Sequence, residues 1–161
     1  LPVLLYQRLQ VGAVAVGLLA AVACAANIVG NLCAAVLLGK VRREALGTCA
    51  AIAMGLCGLG IFLPVLGPGM TFALCLVFSA VGGLIPATLL SAVLRVTSTP
   101  AQAALAVGLL MQGSNLGQAL GPVLVGSAVD RHGWPAAAVW VLAAALAMAW
   151  TICHKTAPKP V

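Results

Sequence analysis

The chain has 161 residues, 63% of them hydrophobic and only 6% charged, with a formal net charge of +6. A soluble domain carries roughly a quarter charged residues, so a water-soluble fold of this composition would expose apolar surface it could not cover. Composition therefore excludes an ordinary soluble protein and points to an all-α membrane protein.

Charge placement divides the chain. No Asp, Glu, Lys or Arg lies between Arg8 and Lys40, Glu44 and Arg95, Arg95 and Asp130, or Arg131 and Lys155. Each gap holds one or two apolar runs of about 20 residues, the length that crosses a hydrocarbon core of about 30 Å. Lipid offers no partner for unpaired backbone groups, so the runs are predicted as helices. A β-barrel would alternate polarity over segments of about ten residues, and no such pattern occurs.

In chain order, the first span is predicted over Val11–Leu38 and the second over Ala45–Leu63. The third follows over Met70–Leu94, the fourth over Ala101–Val129 and the fifth over Trp134–Cys153. The breaks "GKVRRE", "LPVLGPG", "RVTSTP" and "DRHGWP" gather the Pro, Gly and charged residues of connections. Residues 1–153 form the bundle on this reading, and 154–161 a tail.

Five crossings alternate sides, which sorts the basic residues. Lys40, Arg42, Arg43, Arg95, Lys155 and Lys159 fall on one side, Arg8 and Arg131 on the other. The positive-inside rule then places the C-terminus in the cytoplasm, with the chain multi-pass in the cytoplasmic membrane. The positive balance orients the protein and gives no reason to expect nucleic acid.

The six cysteines, Cys24, Cys33, Cys49, Cys57, Cys75 and Cys153, show no CxxC spacing; five lie well within spans, and Cys153 is the last residue of the fifth. They read as small apolar packing residues, with no disulfide framework, metal site or cofactor implied. "LPVLLYQR" lacks the basic leader and cleavage site of a signal peptide. The opening Leu1 leads us to expect sequence upstream.

Sliding the chain against itself by 87 residues sets Gly30-Asn31 on Gly117-Gln118, Val36-Leu37 on Val123-Leu124 and Gly39 on Gly126. Asn27 meets Ser114, and Arg8 meets Arg95. Three crossings intervene, so the two units are expected to be inverted in the membrane, a recurrent device of secondary transporters. The third span precedes the fourth, so a counterpart should precede the first, and "LPVLLY" reads as its last turns.

Polar side chains concentrate in three spans. The second has Thr48 alone, and the fifth none from Pro135 to Trp150 apart from indole nitrogens, so both are expected at the periphery or facing lipid. The first carries Asn27 and Asn31, one turn apart on one face. The third carries Ser79, Thr88 and Ser91 around Gly82, Gly83 and Pro86, a set read as a hinge because proline removes a backbone bond and kinks a helix. In the fourth, Gly108, Gln112, Asn115, Gln118 and Pro122 fall within about 120° of one another at 100° per residue. Gly113, Gly117 and Gly121 form a GxxxGxxxG ridge on nearly the opposite face, suited to close helix packing.

These segments resemble a family. "ANIVGNLCAAVLLGKVRREAL" resembles the eighth and ninth helices of the major facilitator superfamily, with their tight charged loop. "GLIPATLLSAV" is similar to its tenth helix, "GLLMQGSNLGQALGPVLVGSAVDRHGWP" to its eleventh, and the run to Cys153 to its twelfth. Within the superfamily the pattern is similar to bacterial carriers of the cyanate and nitrate–nitrite type. The resemblance implies the C-terminal half of a twelve-helix transporter: five complete transmembrane helices plus the end of a sixth, a central aqueous cavity and alternating access. One departure stands out. The family's loop carries an Asp beside its basic residues, and "LLGKVRRE" has none, which puts in doubt a gate contact there.

The leading expectation is thus secondary transport of a small solute past Asn27, Asn31, Gln112, Asn115 and Gln118, with the missing N-terminal half completing the cavity. Proton coupling needs a titratable group inside the membrane, and the centres of these spans hold none. A coupling residue would belong to the missing half; without one the protein would be a facilitator. An enzyme is not expected, since His132 and His154 fall at opposite ends and no nucleophile–base set forms at mid-depth. The alternative is a structural or assembly subunit packing through the glycine ridge.

Overall fold

In the computed structural model, the described residues are Leu4 and Tyr6, both helical, and residues 12–156, with side chains through His154. Five helices follow in order: α1 Ala13–Leu37, α2 Arg43–Phe62, α3 Pro68–Val96, α4 Pro100–His132 and α5 Trp134–Thr156. No strand occurs among the described residues. Most of "LPVLLY" and residues 157–161 of the expected tail lie outside the described residues, while α5 carries on three residues past its expected end.

Local chemistry sets the ends. Pro68 and Pro100 open α3 and α4, where a missing N–H costs nothing. Thr99 caps α4, its hydroxyl accepting from the Gln102 backbone N–H at 3.3 Å, while the Gln102 side chain accepts from Ser98 N–H at 3.1 Å. α4 ends at Gly133, whose φ of 76° suits glycine and turns the chain straight into α5.

Four helices, α1, α2, α3 and the Trp134–His154 part of α5, are long and apolar enough to cross a membrane. At 33 residues α4 is the longest helix but is not among them. The amides and glycines in its middle lower its hydropathy.

Each helix packs on specific neighbours. α3 packs against α1 and α2, α2 also against α5, and α5 against α4; α3 and α4 touch only lightly. The order of neighbours is therefore α1, α3, α2, α5, α4, and the outer two are the amide-bearing helices. α2, expected at the periphery, is instead the most buried helix, with Leu46, Gly47, Ala50, Ala51, Gly55, Cys57, Gly58 and Ile61 all covered. Its lack of polar side chains reflects small residues packed between α3 and α5 rather than exposure to lipid. A Cβ on Gly55 would sit 3.1 Å from the Ala145 methyl, and one on Gly58 2.6 Å from Val141.

An apolar core closes one end of the bundle. Leu4, Val16, Cys57, Ile61 and Cys75 are buried together, with Phe62, Phe72, Phe78 and Trp134 packed around them. Phe62 and Trp134 stack with ring centroids 6.1 Å apart, joining the end of α2 to the start of α5. At the opposite end, Arg43 Nη1 donates to the Ser91 carbonyl of α3 at 3.2 Å. A Cβ on nearby Gly47 would lie 3.1 Å from Ile152 of α5. The α1–α2 connection, the end of α3 and the end of α5 thus share one end, as alternating crossings require.

Candidate functional site

The polar side chains divide into those satisfied within their own helix and those that are not. Thr88 is buried and its hydroxyl donates to the Ile85 carbonyl at 2.7 Å; Ser91 does the same to Thr88 at 2.9 Å. Thr71, Ser127 and Thr151 likewise return their protons to a carbonyl three or four residues back. Such hydroxyls pack as apolar groups. The amides are a different case.

Asn27 reaches across to α3, its Nδ2 donating to the Ser79 carbonyl at 2.9 Å. The helices approach so closely here because both present glycine. A Cβ at Gly30 would overlap the Ala80 carbonyl oxygen and lie 2.7 Å from its carbon. A Cβ at Gly83 would overlap the Asn27 carbonyl and lie 2.8 Å from the Asn31 nitrogen. Gly83, read from the sequence as a hinge, therefore has a packing role at this crossing. Gly82 lies beside it, its missing Cβ position 3.6 Å from both Asn27 Nδ2 and Met54 Cε. Pro86, inside α3, is exposed one turn further on. Asn31 is exposed.

The α4 amides sit differently. Gln112, Asn115 and Gln118 are all exposed, and no residue of α4 is buried. Gln118 Nε2 donates to Ser114 Oγ at 3.2 Å, one turn back on the same helix. Gly113, Gly117 and Gly121 meet nothing within 4 Å of a built Cβ. α1 and α4 share no extended packing contact, so the two groups of amides are not brought together by the described residues.

The sequence reading missed the α1–α3 crossing, although its signal was present. Thr71, Cys75, Ser79 and Gly83 recur every fourth residue on α3, the same small-residue spacing noted on α4. Ala23, Gly30 and Ala34 supply the matching buried stripe on α1. Among the described residues no three His, Cys, Asp or Glu side chains gather where a metal ion could sit.

The helices, their apolar lengths and the polar residues carried inside them define a polytopic membrane protein. The family model described as Major Facilitator Superfamily matches residues 1–160, and the chain belongs to that family of membrane transporters. No curated protein and no solved structure gives a significant match.

Proposed function

We propose that the chain forms the C-terminal half of a secondary transporter that moves a small solute across the cytoplasmic membrane by alternating access. The observation that carries this reading is α4. It is 33 residues long, buries none of them, and presents amides on one face and glycines on the other. Amides facing hydrocarbon are costly, so intramembrane polar side chains turn to a cavity or to protein. A second helical half supplies both: a packing surface for Gly113, Gly117 and Gly121, and the far wall of a cavity lined by Gln112, Asn115 and Gln118. On this reading α4 spans the membrane with the other four helices.

Asn31 extends the pathway on α1, and Asn27 adds to it on the other side of its bond to α3. Gly82, Gly83 and Pro86 form the hinge about which α3 bends as access alternates. The basic end faces the cytoplasm, together with the C-terminus. The four apolar spans carry no charge in their central portions, so coupling to protons would draw on a residue outside this chain. A second reading, a structural or assembly subunit, is favoured by the uncovered glycine ridge alone and leaves the amides without a task.

Solute uptake into proteoliposomes by the complete transporter separates the two. Gln112→Leu and Asn115→Leu should each lower uptake by about tenfold, the scale of one lost hydrogen bond to a bound solute, while the protein stays folded. Full uptake in both variants would sink the pathway.

A further inference from the structure

Four cations meet at one end of the bundle. Lys40, Arg42, Arg43 and Arg95 line an open cavity of about 480 Å³ with Leu38, Gly39, Val41 and Glu44. The connection between α1 and α2 supplies Lys40 and Arg42, the first residue of α2 is Arg43 and the end of α3 gives Arg95, so residues more than 50 positions apart converge there. Arg43 is anchored by its bond to the Ser91 carbonyl. Glu44 approaches Arg42 at 3.9 Å, but the Arg42 side chain is 83% exposed, and such a pair is weak. One carboxylate against four cations leaves the cavity strongly positive. It also opens onto the start of α2, whose N-cap is Arg42, a side chain with no acceptor to offer the first N–H groups of the helix. The helix dipole adds to the same sign.

We propose that this cavity is a docking site for the headgroup of an anionic phospholipid, held by its phosphate and resting its glycerol region on the apolar wall. Two features favour a lipid over a phosphate ion in water. The cavity lies at the very ends of the apolar helices α1, α2 and α3, which is headgroup depth for spans of this length. Val41, 43% exposed between Lys40 and Arg42, and half-buried Leu38 beside it give the site an apolar flank that a free ion does not use. Basic pockets between membrane helices bind anionic headgroups through this pairing of charge and depth. The site rests on the helices crossing the bilayer and does not depend on which solute, if any, is moved.

The test compares spin-labelled phosphatidylglycerol with spin-labelled phosphatidylcholine for association with the whole chain in phosphatidylcholine bilayers at physiological ionic strength. Phosphatidylglycerol should be preferred severalfold. Arg42→Gln and Arg95→Gln should each reduce that preference by up to about fivefold, and Arg131→Gln, at the opposite end, should leave it intact. Glu44→Gln should strengthen it, a gain that unfolding cannot mimic. Millimolar inorganic phosphate should not displace the lipid. The proposal is overturned by equal association of the two lipids, by an Arg131→Gln loss matching that of Arg42→Gln, by an unchanged or weaker preference in Glu44→Gln, or by displacement with phosphate.

Discussion

Two regions of this chain carry glycine where the spacing invites close packing, and they have opposite fates. On α1 and α3, Gly30 and Gly83 sit at a crossing where a single added carbon would run into the backbone of the partner helix. On α4, Gly113, Gly117 and Gly121 face open space. The same residue type at comparable spacing is consumed by tertiary packing in one region and left available in the other. A glycine stripe therefore states that a close approach is possible, and the partner must come from the rest of the structure. Asparagine and glutamine divide in parallel. Asn27 is engaged across the tight crossing, whereas the α4 amides find at most a neighbour on their own helix.

The largest expected effect comes from placing one methyl group at the tight crossing. Gly30→Ala should destabilise the detergent-solubilised protein by about 1–3 kcal/mol, the usual range for overpacking against groups that cannot yield. Its thermal unfolding midpoint should fall by several degrees, and an unchanged midpoint would mean that the helices are not so close. Removing the amide at the same crossing is a smaller perturbation. Asn27→Ala should cost about 0.6 kcal/mol, the average for a polar contact between membrane helices, read as a small drop in the same midpoint. The smallest effect belongs to the open ridge. Gly117→Ala in this chain should change stability by no more than about 0.5 kcal/mol, because no described atom meets the new methyl. Repeating the measurement with the second half that the proposed function calls for sharpens the contrast: a drop approaching that of Gly30→Ala would place a second helix on α4.

Much of the architecture was legible in the residues. The charge-free gaps set the number and order of the helices, and the Pro, Gly and charge clusters marked their connections to within a few positions. The widest discrepancies at a helix end were three residues, in α4 and α5; α4 runs to His132 rather than Val129 because Gly133 and not Asp130 supplies the stop. The position of α2 was not legible. Absence of polar side chains suggests the periphery or a face toward lipid, but a helix rich in glycine and alanine packs equally well against other helices, and hydropathy does not separate the two environments. The roles of Gly82 and Gly83 were only half visible. Their place beside Pro86 suggests bending, while the backbone of Asn27 and Asn31 pressed against Gly83 emerges only when α1 and α3 are set side by side.

The sequence by itself determined that this is a helical membrane protein, where its helices fall, and that its polar side chains concentrate in three of them. These follow from composition and from the one-dimensional spacing of charge, which a helix converts directly into faces and lengths. Only the tertiary structure decided which glycines are spent, that α2 lies between α3 and α5, and that Arg95 joins Lys40, Arg42 and Arg43 around one cavity. Those outcomes depend on which faces meet. Between helices that are apolar on nearly every side, close packing and a few hydrogen bonds make that choice, and neither can be read from one helix alone.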